Sequence, residues 1–133
     1  MATTTATITL ESSDLITDVL ALTTSCDLTT AGGSTGLTGT SGLGRKKLSS
    51  GHAQYTLFDG DDYTADKAHK IYLKNTSTTP AEYFAIDINS ERMGKLYAGD
   101  WAFFPWDANA ATNDIKIDPS AADMVLEYML FID

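Results

Sequence analysis

The chain has one cysteine, two histidines and three prolines in 133 residues, and no lysine or arginine before residue 45. Each scarcity removes a class of function. Cys26 alone cannot close an internal disulfide, and no cysteine or histidine has the spacing of a metal centre. It reads as a small buried or half-buried hydrophobe. His69 heads an apolar run and His52 lies in a polar lead-in, and neither adjoins a serine or cysteine in a nucleophile motif. No catalytic triad is assigned, and no enzyme activity is expected. No window approaches the roughly eighteen apolar residues of a membrane-spanning helix. The opening Met-Ala-Thr-Thr-Thr-Ala-Thr-Ile has neither the basic region nor the apolar run of a signal peptide, so synthesis in a cytoplasm without secretory export is expected.

Positive charge is scarce as well. Eighteen acidic residues against nine basic ones give a formal charge of -9 and a pI near 4.4. That balance repels nucleic-acid phosphates, so neither DNA nor RNA is an expected partner. Glycines 32, 33, 36, 39, 42 and 44 precede lysine, but the Gly-Lys-Ser/Thr order of a phosphate loop is missing. Asp59, Asp61, Asp62 and Asp66 supply hard oxygens, yet without the spacing of a calcium loop. No cofactor or metal is expected.

What the chain does have is strand pattern. Ala6, Ile8 and Leu10 alternate with Thr5, Thr7 and Thr9, the period of a strand with one face inward. Leu15 to Thr24 could continue in that way, or form a helix with Leu15, Val19 and Leu22 as its stripe; the threonine density favours strand. Further strands are expected over 53–58, 69–74, 82–88, 93–97, 101–106, 114–118 and 124–132, separated by Gly, Asn, Asp and Pro turns. In the first of the better-marked ones Ile71 and Leu73 oppose Lys70, Tyr72 and Lys74. The last, Met124 to Ile132, holds a single charge and reads as a core strand covered on both faces.

Strands recurring about every ten residues predict an all-β fold, an antiparallel β-sandwich or jelly-roll-like barrel. The length suits one domain over 1–133. Residues 48–133 form its expected compact core, and 1–47 an extension of strand plus arm. Within that extension, residues 31–44 hold six glycines and no charge, the composition of a long flexible loop. Arg45, Lys46 and Lys47 follow it directly, one third of the basic residues, and make a docking element for an acidic surface or a charged strand start.

The richest aromatic cluster is Trp101-Ala-Phe-Phe-Pro-Trp106. On a strand Trp101, Phe103 and Pro105 point one way and Ala102, Phe104 and Trp106 the other. Either both faces are covered within the fold, or one meets a partner. Trp101, Phe104 and Trp106 are the expected interface anchors, with Arg45, Lys46 and Lys47 as polar docking contacts.

Several segments resemble small virion structural proteins of tailed bacteriophages: Lys70 to Asn75, Tyr83 to Ile88, Gly94 to Trp106, Asp114 to Ile117 and Leu126 to Phe131. The resemblance spans about residues 69–133. It implies a non-enzymatic capsid decoration, or cement, protein that lies over joints between major capsid subunits on the virion surface, commonly as a homo-oligomer with the trimer favoured. The other readings are a tail or head-fibre protein, or a carbohydrate-binding β-sandwich using Tyr97, Trp101 or Trp106 as a stacking platform.

Overall fold

Period-2 patterning dictates strands, and strands are what form. The computed structural model describes residues 2–49 and 53–133; His52 lies outside the described residues. Eleven strands are present among them: β1 (Thr5–Ser12), β2 (Leu20–Asp27), β3 (Gly39–Thr40), β4 (Gly44–Leu48), β5 (Tyr55–Phe58), β6 (His69–Asn75), β7 (Tyr83–Ile88), β8 (Glu91–Tyr97), β9 (Trp101–Trp106), β10 (Ile115–Pro119) and β11 (Met124–Ile132). Two single-turn 3-10 helices, at Gly60–Asp62 and Ala110–Thr112, are the only helical elements described.

From β4 onward the chain passes back and forth between two antiparallel sheets. One has the order β4-β11-β6-β9, with β3 extending the β4 edge along the end of β11. The other has the order β5-β10-β7-β8. Only β7 and β8 are sequential neighbours in one sheet, joined as a hairpin. The eight strands β4 to β11, four in each sheet with this alternation, are a jelly-roll arrangement, to which β3 adds a fifth strand in the larger sheet. The sheets stay open as two layers and do not close into a barrel.

The core lies between the layers. Ile71 and Leu73 of β6 and Leu126 and Leu130 of β11 meet Phe84 and Ile86 of β7 and Ile115 and Ile117 of β10, and all eight are sealed from solvent. The expected opposition of Ile71 and Leu73 to Lys70, Tyr72 and Lys74 holds. Three polar side chains are buried with them. His69 Nδ1 accepts the Asp133 N–H at 3.1 Å, which leaves Nε2–H to donate to Thr64 O at 3.0 Å. That bonding fixes a neutral tautomer and makes His69 a structural residue. Asn75 Nδ2 donates to the carbonyls of Glu82 and Leu96, and its Oδ1 accepts from Ser77 N–H. It thereby ties the end of β6 to the following turn and to β8. Asp87 is paired with Arg92 at 2.7 Å.

Two expectations change in place. The packed core cluster runs from Leu48 to Leu130, and the segment before it joins the same fold, since Leu28 and Leu37 are buried and β3 and β4 belong to the larger sheet. The glycine-rich segment is accordingly held along the sheet edge, by a Thr29–Gly36 bridge and by Asp133, whose carboxylate accepts from Ala31 N–H at 2.8 Å and Ala68 N–H at 3.1 Å. Glycine is required where that edge packs, since a Cβ on Gly44 would fall 2.7 Å from the Tyr128 ring. Finally, the outer face of β11 is only partly covered. Val125, Met129 and Phe131 are half-buried on the outside of the sheet.

Residues 5–27 form a separate two-stranded hairpin. β1 pairs with β2 from Thr5–Asp27 to Ser12–Leu20, and Ser13 to Val19 make the connection, where a strand had been expected to start at Leu15.

Candidate functional site

The outer face of the β4-β11-β6-β9 sheet is built by the residues that alternate with the core. Register places Trp101 beside Lys74, Phe103 beside Tyr72 and Pro105 beside Lys70. On the other side of β6, Glu127 lies beside Lys74, Met129 beside Tyr72 and Phe131 beside Lys70. Tyr72, Phe103, Met129 and Phe131 thus form one apolar strip, with the Phe103 and Phe131 rings edge to face at 6.0 Å. Trp101 continues it and is half exposed, at 50%, with Phe103 at 36%.

Charge borders the strip. Lys70 and Lys74 come from β6, and Arg45 and Lys47 from β4, where they sit opposite the outward Glu127 and Val125. Glu127 is the one acid at an outward position of these strands, and it is tightly engaged. Arg45 Nε and Nη2 both reach its Oε2 at 3.0 Å, and Tyr72 donates its hydroxyl to Oε1 at 3.0 Å. The Arg45 hydrogen bond, then the Tyr72 one, hold the Glu127 carboxyl below the usual range, while burial and then that same carboxylate push the Tyr72 hydroxyl up. A carboxylate fixed in this way orients its neighbours; it is not poised to exchange a proton.

Above one end of this face stands the hairpin. Its apolar side carries Ala6, Ile8, Leu10, Leu20, Leu22 and Cys26, and its other side bonds through Thr5 to Asp27 and Thr9 to Thr23. Between hairpin and sheet runs a groove of about 480 Å³, lined by Ala6, Ile8 and Cys26 on one wall, with Thr7, Thr24 and Ser25 among them, and by Tyr72, Trp101 and Phe103 on the other. The groove is mainly apolar, and Cys26 is exposed rather than buried because no layer of its own hairpin covers it. It reaches only the base of the hairpin, at Ala6 to Ile8 and Thr24 to Cys26.

The six expected contact residues therefore separate. Trp101, Arg45 and Lys47 lie on the outer face, each with its side chain largely exposed. Lys46 points to the inner side of β4, its ammonium 5.3 Å above the Tyr55 ring. Phe104 packs against the core, and Trp106 is buried with its Nε1–H donating to Asn113 O at 2.7 Å. The alternation places them there: they share the pleat phase of Ala102, which faces Leu73 in the sheet interior. Arg45, Lys46 and Lys47 form part of an edge strand rather than the tip of an arm, and charge on such an edge discourages further strand pairing. Tyr97 lies on the outer face of the opposite sheet, its ring 5.3 Å from that of Tyr83 and tilted against it, so of the three candidate sugar-stacking rings Tyr97 and Trp101 are exposed on different sheets and Trp106 is buried.

Phe103, Tyr72, Met129 and Phe131 were not expected at a contact surface. Their signal was available as the outward phase of three adjacent strands, but it needs the strand order to be read. Among the described residues no group of three His, Cys, Asp or Glu side chains converges as a metal site, and Asp59 instead caps the turn at Asp61 N–H.

Family models, curated proteins and solved structures offer no match to this chain.

Proposed function

We propose that this is a structural assembly protein, a decoration protein that binds the major capsid protein on the outside of a tailed-phage shell and stabilises it. The observation that carries the reading is the placement of exposed apolar surface. Of eleven large hydrophobic residues exposed among the described ones, six lie on the hairpin and its connection, and Trp101 and Phe103 lie on the sheet face beneath it. Contiguous apolar surface of this kind marks a contact with another macromolecule. Covering it contributes about 25 cal/mol per Å² of area removed from water. Repetition over a symmetric shell turns such individually modest contacts into a durable lattice.

The likeness of residues 69–133 to phage virion proteins supports the shell as the partner. The jelly-roll arrangement is compatible with it, since that architecture serves viral shells as well as lectins. The measurement that tests the reading is quantitative mass spectrometry of purified virions from the phage that encodes the chain. A copy number comparable with that of the major capsid protein is expected. Absence from the particle, or about a dozen copies as in a single tail or portal ring, overturns it.

A further inference from the structure

We propose that the distal half of the β1–β2 hairpin of one copy docks on the outer face of β9, β6 and β11 of a second copy, so that the protein assembles with itself head to tail. The inference takes the contact-surface reading as its basis and names the partner of that surface.

The hairpin reaches past its own sheet. Its base lines the groove, but Leu10, Leu15, Ile16, Val19 and Leu22 lie beyond it, between 45% and 73% exposed. An isolated two-stranded hairpin is only marginally stable in water, so a face this apolar requires cover. The sheet face has the converse deficiency. Met129 and Phe131 of β11 are half-buried, and Trp101 and Phe103 are open beside them.

Charge selects the pairing. The hairpin, residues 5–27, carries Glu11, Asp14, Asp18 and Asp27 and no base, a local charge of -4. The outward positions of β4, β6, β9 and β11 carry Arg45, Lys47, Lys70 and Lys74 against Glu127, and Asp123, just before β11, pairs with Lys47 at 3.4 Å, which leaves a local charge of +2. Copies with an overall charge of -9 repel one another, so association is favoured where opposite local charges meet. Hairpin against sheet face does so. Hairpin against hairpin would set -4 against -4, and face against face would set +2 against +2. Both complementary surfaces belong to one chain, which is why a second copy is the occupant. A contact between two different patches repeats from copy to copy, and closes a ring when the rotation permits.

The test uses full-length protein and light scattering after size exclusion. Wild type is expected at a multiple of the 14.3 kDa chain mass. Leu22→Asp spoils the hairpin and Phe103→Asp spoils the face; each alone is expected to run as a monomer with unchanged circular dichroism. Mixing the two is expected to restore a one-to-one dimer, because each supplies the surface the other has lost. Ile16→Asp, in the connection outside either strand, repeats the hairpin arm with the least risk to folding. A monomeric wild type, or a Phe103→Asp variant that still assembles, or a mixture that stays monomeric, overturns the proposal. A monomer that nevertheless coats shells overturns this inference alone, whereas a stable oligomer absent from virions overturns only the capsid reading.

Discussion

In β6 the alternating residues Ile71 and Leu73 are fully sealed from solvent, whereas in β1 the equally spaced Ile8 and Leu10 are 36% and 45% exposed. The two strands carry the same pattern and differ in what lies opposite. β6 sits between β11 and β9, with the β10 and β7 layer across from it. β1 has only β2. Alternation thus specifies which side chains share a face, while burial of that face depends on a second layer contributed from elsewhere. In the jelly-roll body the chain supplies that layer itself. For the hairpin, in the proposed assembly, a second copy supplies it.

The widest gap between the two regions is expected from truncating a leucine in each. Leu130→Ala removes a side chain from the middle of the core and leaves a cavity, at a cost of about 2–5 kcal/mol. Urea unfolding monitored by tryptophan fluorescence measures it. A loss below 1 kcal/mol would mean that the layers are not closely packed. Asn75→Ala comes next. It removes two donors from the Glu82 and Leu96 carbonyls and the acceptor of Ser77 N–H, and leaving such buried groups unpaired costs about 1–3 kcal/mol. The same unfolding measurement should rank it below Leu130→Ala, and a neutral result would show that water replaces the side chain.

The body was largely legible and its edges were not. β6, β7, β9, β10 and β11 have strong period-2 or continuous apolar character and were found within one or two residues. β3 and β4 escaped because a two-residue strand and a charged five-residue edge strand contain almost no internal pattern. They exist because β11, about eighty residues later in the chain, offers them an edge. Leu28 and Leu37 were hidden for the same reason, as isolated apolar residues in polar sequence. In the site, the two faces of β9 were assigned correctly as sets, but the pattern does not say which set is inside. That is settled by the pairing with β6, where Ala102 and Phe104 oppose Leu73 and Ile71. Trp101 consequently remains at the surface while Phe104 and Trp106 go inward.

Acid should weaken the body at the boundary with its edge. The Asp133 carboxyl is held below its usual range, first by the Ala31 N–H and then by the Ala68 N–H, and Glu127 is held down by Arg45 and then Tyr72. A carboxyl whose value is lowered by folding contributes stability above its unfolded value, and that contribution disappears as pH falls through the folded value. Stability is therefore expected to fall as pH drops below the ordinary carboxylate range, with no matching change between neutral and mildly alkaline pH from these two groups. Asp133→Asn should flatten part of the acid slope and speed amide exchange at Ala31 and Ala68. An unchanged slope in Asp133→Asn together with Glu127→Gln would place the acid sensitivity elsewhere.

The smallest effect is expected in the hairpin, and it distinguishes the regions most sharply. Leu10→Ser alters a side chain that touches little within its own chain, so in dilute protein its effect should stay within about 0.5 kcal/mol. If hairpins are covered by neighbouring copies, association favours the folded assembled state by mass action, and thermal stability becomes dependent on concentration. Wild type should then melt higher as it is concentrated, and Leu10→Ser should not. Leu130→Ala should melt lower than wild type at every concentration and still rise in parallel with it, because its defect is inside the body. Parallel concentration dependence in wild type and Leu10→Ser would show that the hairpin face takes no part in assembly, even though it is the most exposed apolar surface described in the chain.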